Sequence, residues 1–307
     1  MRIVFFGTPE FAVPSLERLL QERHDVAAVV TQPDKPHGRS RSTLVEPAVK
    51  LAARRAGLQV LQPERPTGDV FLASLRRLDP DIGVVVAYGH ILRRELLTLP
   101  PRGMINVHAS LLPRFRGAAP IQHTILAGDA VTGVSIMRME EGLDSGPVLE
   151  RAETPIAEAE TAGELSARLA DLGARALINT LGRLDEGTLR GEPQDPAGVT
   201  YAPKVDRASA HIDWTQPATT LARQVRAFDP APGAWTTHQG APLKLFRPVS
   251  RDAQGDPGSV LAAGEDLVVA TGSGAVAIRE VQPAGKPRLA VADWVRGRGI
   301  AAGDRLT

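Results

Sequence analysis

Short runs of consecutive apolar residues constrain the fold of this chain more than any other feature. The cleanest is IGVVVA at 82–87, which lacks the strict alternation of a strand with one solvent-exposed face. Such strands are typical of a parallel sheet with helices on both faces. Strand-like runs are Arg2–Phe6, Val26–Thr31, Ile82–Ala87 and Met104–His108, and the helix-like segments that alternate with them are Val13–Glu22, Pro47–Ala56 and about Pro120–Ala127. The sequence therefore predicts an α/β fold with a doubly wound, mostly parallel, Rossmann-like sheet, which binds ligands beyond the carboxyl ends of its strands.

The character of the sequence changes near residue 187. The stretch GTLRGEPQDPAGVTYAPK is rich in Gly and Pro and lacks a helical period, so we predict a linker there. A helix over Ala218–Ala227 follows, and then short strands separated by Gly and Pro clusters, which is typical of a small β-barrel. These strands are Leu243–Arg247, Ser259–Ala262, Leu267–Ala270 and Ala275–Val281. We accordingly expect a first domain over 1–189, a linker over 190–205 and a second domain over 206–307.

Composition excludes several classes of protein. The 307 residues contain no Cys, which excludes disulfides, thiolate metal sites and thiol nucleophiles, and a cytoplasmic location is expected. No stretch approaches the roughly 18 consecutive apolar residues of a membrane-spanning helix, so we expect no membrane association. With a net charge of +1, the chain as a whole does not attract polyanions. Any nucleic-acid binding must come from a local patch, and residues 31–55 offer one, with six basic residues against two acids.

Asn106 and His108 lie at the end of a predicted buried strand. Residues two apart in a strand share a face, so the two side chains point the same way. Burying both costs several kcal/mol unless they are hydrogen-bonded or wet, and the carboxyl end of a strand places them at the mouth of a cleft. Spacing alone leaves two interpretations open, a pair of satisfied structural residues or a functional pair.

A tight loop presents Asp144 between two further predicted strands, Val134–Met139 and Val148–Thr154. The loop reads Gly142-Leu143-Asp144-Ser145-Gly146, with one glycine on each side of the acid. Such a pattern, taken alone, is compatible with a simple turn as well as with a catalytic carboxylate.

Together these segments resemble the formyltransferases that use 10-formyltetrahydrofolate. The resemblance rests on Asn-x-His, on SLLPRFRG at 110–117 and on the Gly-Leu-Asp-Ser-Gly loop. Within that family, GTPEFAVPSLERLL, VTQPDKPHGR, INVHASLLPRFRGAAPIQHTILAGD and TGVSIMRMEEGLDSGP are similar to the branch that acts on methionyl-tRNA. Shorter matches, YAPK, IDW, KLF and VQPAGK, extend the resemblance over nearly the whole chain.

The resemblance implies catalytic roles for Asn106, His108 and Asp144. Formyl transfer to an amine develops negative charge on the formyl oxygen, and the Asn106 amide and a protonated His108 are suitable donors to it. The attacking amine must also lose a proton, and Asp144 can orient His108 and hold its charge. The sequence leaves open whether His108 or Asp144 is the proximal base.

The resemblance also assigns the two substrates. Ser110, Leu111, Leu112 and Pro113 are expected at the site of 10-formyltetrahydrofolate, with no metal. Initiator methionyl-tRNA is expected as the acceptor. The residues expected to bind it are Lys35, Arg39 and Arg41 of a basic loop and Lys286 of an OB-like second domain. Solvated surface residues are the alternative for the loop and for Lys286. The chain departs from the family pattern at Asp229 and Ala231, and a monomer is expected.

Alternative functions differ in which of these features they explain. A formyltransferase for a nucleotide sugar or a ribonucleotide amine would keep the triad of Asn106, His108 and Asp144. It would not need the basic loop and the barrel. A formyltetrahydrofolate hydrolase would keep the triad, often with a regulatory domain. A non-catalytic RNA-binding module would explain the barrel but not the triad. A nicotinamide dehydrogenase would require GxGxxG after the first strand, where this chain has GTPEF.

Overall fold

The computed structural model describes residues 1–37 and 43–307. These residues form two compact units. The first comprises Met1–Gly117, Val131–Pro155 and Ser166–Tyr201, and the second comprises Ala118–Ala130, Ile156–Leu165 and Ala202–Thr307.

Strands and helices extend over both units, and they are numbered in chain order. The strands are β1 (Arg2–Gly7), β2 (Asp25–Val30), β3 (Lys35–His37), β4 (Thr43–Val45), β5 (Val60–Leu61), β6 (Ile82–Val86), β7 (Met104–His108), β8 (Arg116–Gly117), β9 (Val131–Arg138), β10 (Val148–Pro155), β11 (Tyr201–Ala202), β12 (Trp235–His238), β13 (Ala241–Arg251), β14 (Val260–Ala263), β15 (Leu267–Ala270), β16 (Ala275–Pro283) and β17 (Leu289–Ala290). The helices are α1 (Val13–Gln21), α2 (Ala48–Arg55), α3 (Asp69–Arg77), α4 (Arg94–Leu97), α5 (Pro120–Ala127), α6 (Ala162–Asp185), α7 (Ala218–Ala227) and α8 (Val291–Arg296), with 3₁₀ turns at Glu10–Ala12 and Pro196–Gly198.

The first unit is built on a sheet of seven strands in the order β10-β9-β7-β6-β1-β2-β5. Five strands, β5, β2, β1, β6 and β7, run parallel, and β9 and β10 continue the sheet in antiparallel pairing. The carboxyl ends of the five parallel strands therefore meet at one edge, which we call the carboxyl edge. Residues 8, 32, 62, 88 and 109 lie there, each one or two positions beyond its strand.

Burial follows the sequence pattern strand by strand. Every residue of β6 is buried, whereas β10, at the edge of the sheet, alternates after its first two residues. A helix-covered central strand has no solvent face, but an edge strand keeps one. Gly83 of β6 permits close packing, because a Cβ there would collide with the Met104 side chain of β7.

The second unit contains an antiparallel sheet in the order β12-β13-β16-β15-β14, with β17 paired to β16. Helix α7 packs against β13. A capping box is present at Thr161, since Thr161 N donates to Glu164 Oε2 at 2.9 Å and Glu164 N donates to Thr161 Oγ1 at 3.3 Å. The predicted fold class, a mostly parallel sheet domain followed by a smaller antiparallel β-domain, is confirmed.

Most predicted elements are present with bounds shifted by one or two residues, and two differences have clear local causes. Strand β13 continues beyond Arg247, where the sequence prediction ends it. Arg247 takes a left-handed φ of +53°, and pairing with β16 resumes at Pro248. The sequence does not predict α3, which begins after Gly68 without a side-chain cap.

Within the described ranges, no helix combines the length and the apolar composition that crossing a bilayer requires.

Candidate active site

The predicted pair Asn106 and His108 lies at the carboxyl end of β7. Asn106 stands between Val85 of β6 and Met137 of β9, and His108 stands opposite Ser135. His108 is 6% exposed, while Asn106 is partly exposed and its amide forms no hydrogen bond to the residues described. Asn106 thus offers an unused donor at the carboxyl edge.

Hydrogen bonding fixes the orientation of the His108 ring. His108 Nε2 lies 2.9 Å from the carbonyl oxygen of Phe115. Because a carbonyl oxygen only accepts, Nε2 carries a proton in this arrangement. His108 Nδ1 lies 3.7 Å from Asp144 Oδ2, which is an ion-pair distance rather than a hydrogen bond. Nδ1 is therefore the ring nitrogen that can take up a proton, and it faces a carboxylate.

The loop that carries Asp144 is held tightly. Asp144 Oδ2 accepts a hydrogen bond of 2.8 Å from the backbone N of Gly117, and the side chain is 17% exposed. Asp144 has a left-handed φ of +46°, which costs a non-glycine residue about 1–2 kcal/mol. Gly146 follows in buried surroundings, where a Cβ would collide with the carbonyl oxygen of Arg138. The structure thus brings Asn106, His108 and Asp144 to one edge of the sheet.

Two residues that sequence reasoning missed contact this site. Gln194 Nε2 donates to the carbonyl oxygens of Asp144 and Gly146, both at 2.8 Å. Thr200 Oγ1 accepts a hydrogen bond of 2.8 Å from Phe115 N. Both belong to the stretch that we predicted as a linker, and no local sequence pattern marks them, because their partners lie 48–85 positions away.

The four predicted folate residues form the turn that follows β7. Ser110 is fully buried, its Oγ donates to Arg114 O at 2.7 Å and its carbonyl accepts from Ser135 Oγ at 2.7 Å. Leu112 is buried, and its backbone N donates to Ser135 Oγ at 3.0 Å. Only Leu111 and Pro113 are partly exposed. The turn therefore presents backbone and apolar surface rather than polar side chains.

The predicted basic loop begins at the same edge, directly after β2. Lys35 is exposed on β3 and pairs with Val45 of β4 in a short hairpin. Arg39 and Arg41 lie outside the described residues. Of the three cations predicted for this loop, Lys35 is the one that the structure describes.

The base of the hairpin is closed by ion pairs between one buried lysine and two partly exposed acids. Lys50 Nζ, on α2, lies 2.6 Å from Asp34 Oδ2 and 2.7 Å from Glu46 Oε1. Asp34 precedes β3 and Glu46 follows β4, so one ammonium joins both ends of the hairpin. Hydrogen bonding to Asp34 raises the pKa of Lys50, and the reciprocal bond lowers the pKa of Asp34.

A network of side-chain amide and hydroxyl groups continues along the carboxyl edge. Thr8 Oγ1 donates to Tyr88 O at 2.9 Å, and Gln32 Nε2 donates to the same oxygen at 3.0 Å. Gln62 Nε2 donates to Gln32 O at 2.9 Å and to Asp34 Oδ1 at 2.8 Å. The ends of β1, β2, β5 and β6 are thereby joined into one rigid rim that carries the hairpin.

In the second unit, the predicted Lys286 is exposed in the turn between β16 and β17. The departure at Asp229 has a structural counterpart, because its buried carboxylate pairs with Arg288 at 2.8 and 3.1 Å. Arg288 also stacks over the Phe246 ring at 4.0 Å. A bidentate ion pair of this kind satisfies the hydrogen-bonding needs of a buried carboxylate, so Asp229 is accommodated by its own surroundings.

Comparisons with known protein families match both parts of the chain. A model described as Formyl transferase matches residues 1–181, and one described as Formyl transferase, C-terminal domain, matches residues 204–299. Proteins named methionyl-tRNA formyltransferase from Streptomyces coelicolor and Chromobacterium violaceum are 46% and 47% identical, each over 100% of this chain and 99% of the relative. One from Magnetococcus marinus is 48% identical over 99% of this chain and 98% of its own length.

Solved structures with a similar fold are more distant in sequence. HypX from Aquifex aeolicus, in complex with tetrahydrofolic acid, matches with a TM-score of 0.67 and 20% identity over 96% of this chain. This chain spans about half of HypX, 47% of its length. The N-formyltransferase from Helicobacter canadensis, in complex with folinic acid and dTDP-3-aminofucose, matches with a TM-score of 0.68 and 16% identity over 92% of this chain and 99% of that one. At these identities the likeness concerns the fold.

Proposed function

We propose that this chain, which belongs to the formyl transferase family, transfers the formyl group of 10-formyltetrahydrofolate to the α-amine of methionine on initiator tRNA. The observation that carries the proposal is the 46–48% identity to methionyl-tRNA formyltransferases over essentially the full length. It spans both regions that the family models match, so it supports the acceptor as well as the reaction. The family resemblance predicted from the sequence is thereby confirmed.

The geometry at the end of β7 supports the catalytic roles that we propose. When bound, the folate supplies the formyl group from its N10. The site fits such a donor, because the Asn106 amide has no hydrogen-bond partner in the described part of the chain and can meet the charge that develops on the formyl oxygen. His108 can take up a proton at Nδ1, since Nε2 is engaged by Phe115. Asp144, 3.7 Å away, stabilises the resulting imidazolium.

Ser110, Leu111, Leu112 and Pro113 supply the folate side of the site. The turn lies directly after His108, so a ligand resting on it reaches the carboxyl edge. The partly exposed Leu111 and Pro113 offer apolar contact, and the buried hydrogen bonds of Ser110 keep the turn rigid. Rigid elements position a donor better than mobile ones.

The acceptor side is supplied by Lys35, Arg39 and Arg41 of the basic loop and by Lys286 of the second unit. Lys35 is exposed on a hairpin that follows β2, and the end of β2 shares the carboxyl edge with His108. Cations near the reacting end can read bases, whereas Lys286 contacts the phosphate backbone.

The experiment that tests the function is a formyl-transfer assay with purified, methionine-charged initiator and elongator tRNAs. We expect transfer to the initiator tRNA and much slower transfer to the elongator. The second candidates are a formyltransferase for a small amine and a formyltetrahydrofolate hydrolase. Transfer to a nucleotide sugar or ribonucleotide amine, or release of free formate without acceptor, would replace the proposal by the corresponding candidate.

Lys286 and the cations of the basic loop should have different effects on tRNA binding. Lys286→Ala should weaken binding of both tRNAs alike and make the slope of log K against log salt less steep by about one contact, because it loses a phosphate contact. Arg39→Ala should reduce transfer and erode the preference for initiator tRNA. The measurements are equilibrium titrations at several salt concentrations.

Arg77→Ala is the matched control, since Arg77 is an exposed arginine at the end of α3, before β6, at the opposite edge of the sheet. It should bind both tRNAs as the wild-type chain does. Binding that does not depend on salt would contradict a tRNA acceptor, and initiator preference retained in Arg39→Ala would make the loop a solvated surface.

Three further features of the molecule stay predictions. They are the division into a catalytic domain over 1–189, a linker over 190–205 and a tRNA-binding domain over 206–307, a cytoplasmic location and a monomeric state. Sedimentation of the purified chain tests the last of them.

A further inference from the structure

Residues 191–201 run alongside both loops of the candidate site, and we call this segment the strap. Near its start, Glu192 exchanges two backbone hydrogen bonds of 2.8 Å with Val148 of β10. Near its end, Thr200 O accepts from Arg116 N at 2.9 Å and Thr200 N donates to Pro113 O at 3.4 Å. The strap is thus anchored at both ends to the unit that carries Asn106, His108 and Asp144.

Gln194 uses its full hydrogen-bonding capacity between these anchors. Its Nε2 donates to the carbonyl oxygens of Asp144 and Gly146, and its Oε1 accepts from Arg116 Nε at 3.0 Å and Nη2 at 2.7 Å. Carbonyl oxygens only accept and guanidinium groups only donate, so the orientation of this amide is fixed by its partners. Gln194 therefore joins the Asp144 loop to Arg116.

Thr200 is connected to His108 through one residue, Phe115. Its Oγ1 accepts from Phe115 N at 2.8 Å, and Phe115 O in turn accepts from His108 Nε2 at 2.9 Å. If the backbone of Phe115 were displaced, His108 Nε2 would lose the hydrogen bond that fixes the orientation of the ring.

The strap forms hydrogen bonds to two site residues that have strained backbone conformations. Asp144 has a φ of +46° and Phe115 a φ of +59°, and both are non-glycine residues in the left-handed region. Such conformations persist only where surrounding contacts determine them, and they cluster at functional sites.

We propose that Gln194 and Thr200 are positioning residues for formyl transfer, Gln194 acting through Asp144 and Thr200 acting through Phe115 on His108. Neither residue touches the reacting atoms. The inference rests on the proposed function for its kinetic readout, and it assigns a role in the site to a segment whose sequence suggests only a connection between domains.

Three variants test the proposal at the side-chain hydrogen bonds of Thr200 and Gln194. Thr200→Val removes the acceptor hydroxyl at similar volume, and Thr200→Ser restores it. Gln194→Glu keeps the acceptor oxygen for Arg116 but replaces the donor to the Asp144 loop. We expect Thr200→Val and Gln194→Glu to lower kcat about 10-fold with both KM values within about 2-fold, because small misplacements of reacting groups are costly. Thr200→Ser should retain kcat.

Glu192→Gln is the matched control, since that side chain lies in the strap but pairs with Arg151. Rates are expressed per folate-binding site, so that a loss of folded protein does not count as a loss of kcat. The proposal is overturned by unchanged kcat in Thr200→Val and Gln194→Glu, by losses confined to KM, or by equal losses in Thr200→Ser or Glu192→Gln.

A second measurement separates this inference from the proposed function. The ¹⁵N signals of the His108 ring, assigned among the seven histidines with a His108→Gln variant, report which nitrogen carries the proton. If the wild-type chain fails to formylate methionyl-tRNA, the proposed function falls and this signal alone decides the role of Thr200. A changed Nε2 signal in Thr200→Val supports positioning, and an unchanged one overturns it.

Discussion

Alanine at His108 or at Asn106 lowers the turnover of formyl transfer by at least about 100-fold, while the affinity for the folate donor stays close to that of the wild-type chain. Both side chains act on charge that appears only as the reaction proceeds, so their loss affects the transition state more than the bound substrates. Steady-state rates with charged initiator tRNA, together with equilibrium folate titrations, measure the two quantities separately.

His24→Ala is the control for this prediction, because His24 precedes β2 at the opposite edge of the same sheet and should leave turnover unchanged. Asp144→Asn keeps the shape of the side chain but removes its charge, and should be as damaging as His108→Ala. Near-normal turnover in the His108 and Asn106 variants would remove the proposed mechanism.

The second large effect is expected in the Asp144 loop, at Gly146. A methyl group there would collide with the carbonyl oxygen of Arg138, which is backbone and cannot swing aside. Gly146→Ala should therefore move the loop, lower turnover by about 10- to 100-fold and reduce the free energy of unfolding by about 1–3 kcal/mol. Kinetics and urea denaturation of the same preparation measure both effects.

Gly142→Ala provides a matched comparison within the same loop. A methyl group at this exposed position meets the Ser145 hydroxyl, which can rotate away. Its turnover and stability should remain close to those of the wild-type chain. Equal effects at the two glycines would mean that the loop yields easily, and would contradict the view that Asp144 is held by rigid surroundings.

The parts of the site that could be predicted from sequence are those encoded locally. The spacing of Asn106 and His108 places them on one strand face, and the glycines around Asp144 mark a tight loop whatever lies around it. The resemblance to known formyltransferases then implied that all three act together as a catalytic triad. The sequence could not reveal the hydrogen bond from His108 to Phe115, because a strand pattern says nothing about which ring nitrogen is engaged.

Gln194 and Thr200 were missed for a different physical reason. Their segment is rich in Gly and Pro, which predicts the absence of helix and strand but not the absence of contacts. Its hydrogen bonds join residues up to 85 positions apart, so they exist only after the sheet has formed. An irregular segment can therefore be as firmly fixed as a strand.

The ion pairs of Lys50 fasten the basic hairpin to the sheet with charges other than those that we propose to contact the acceptor. Lys50 balances Asp34 and shares Glu46 with Arg54, so these charges compensate each other at the base and contribute little to the field outside. Lys35, at the start of β3, is exposed and forms no ion pair with the residues that the structure describes. The cations that we propose to contact the acceptor can consequently be gained, lost or exchanged over evolution, and so suit a different nucleic-acid end, without altering how the hairpin is fastened to the sheet.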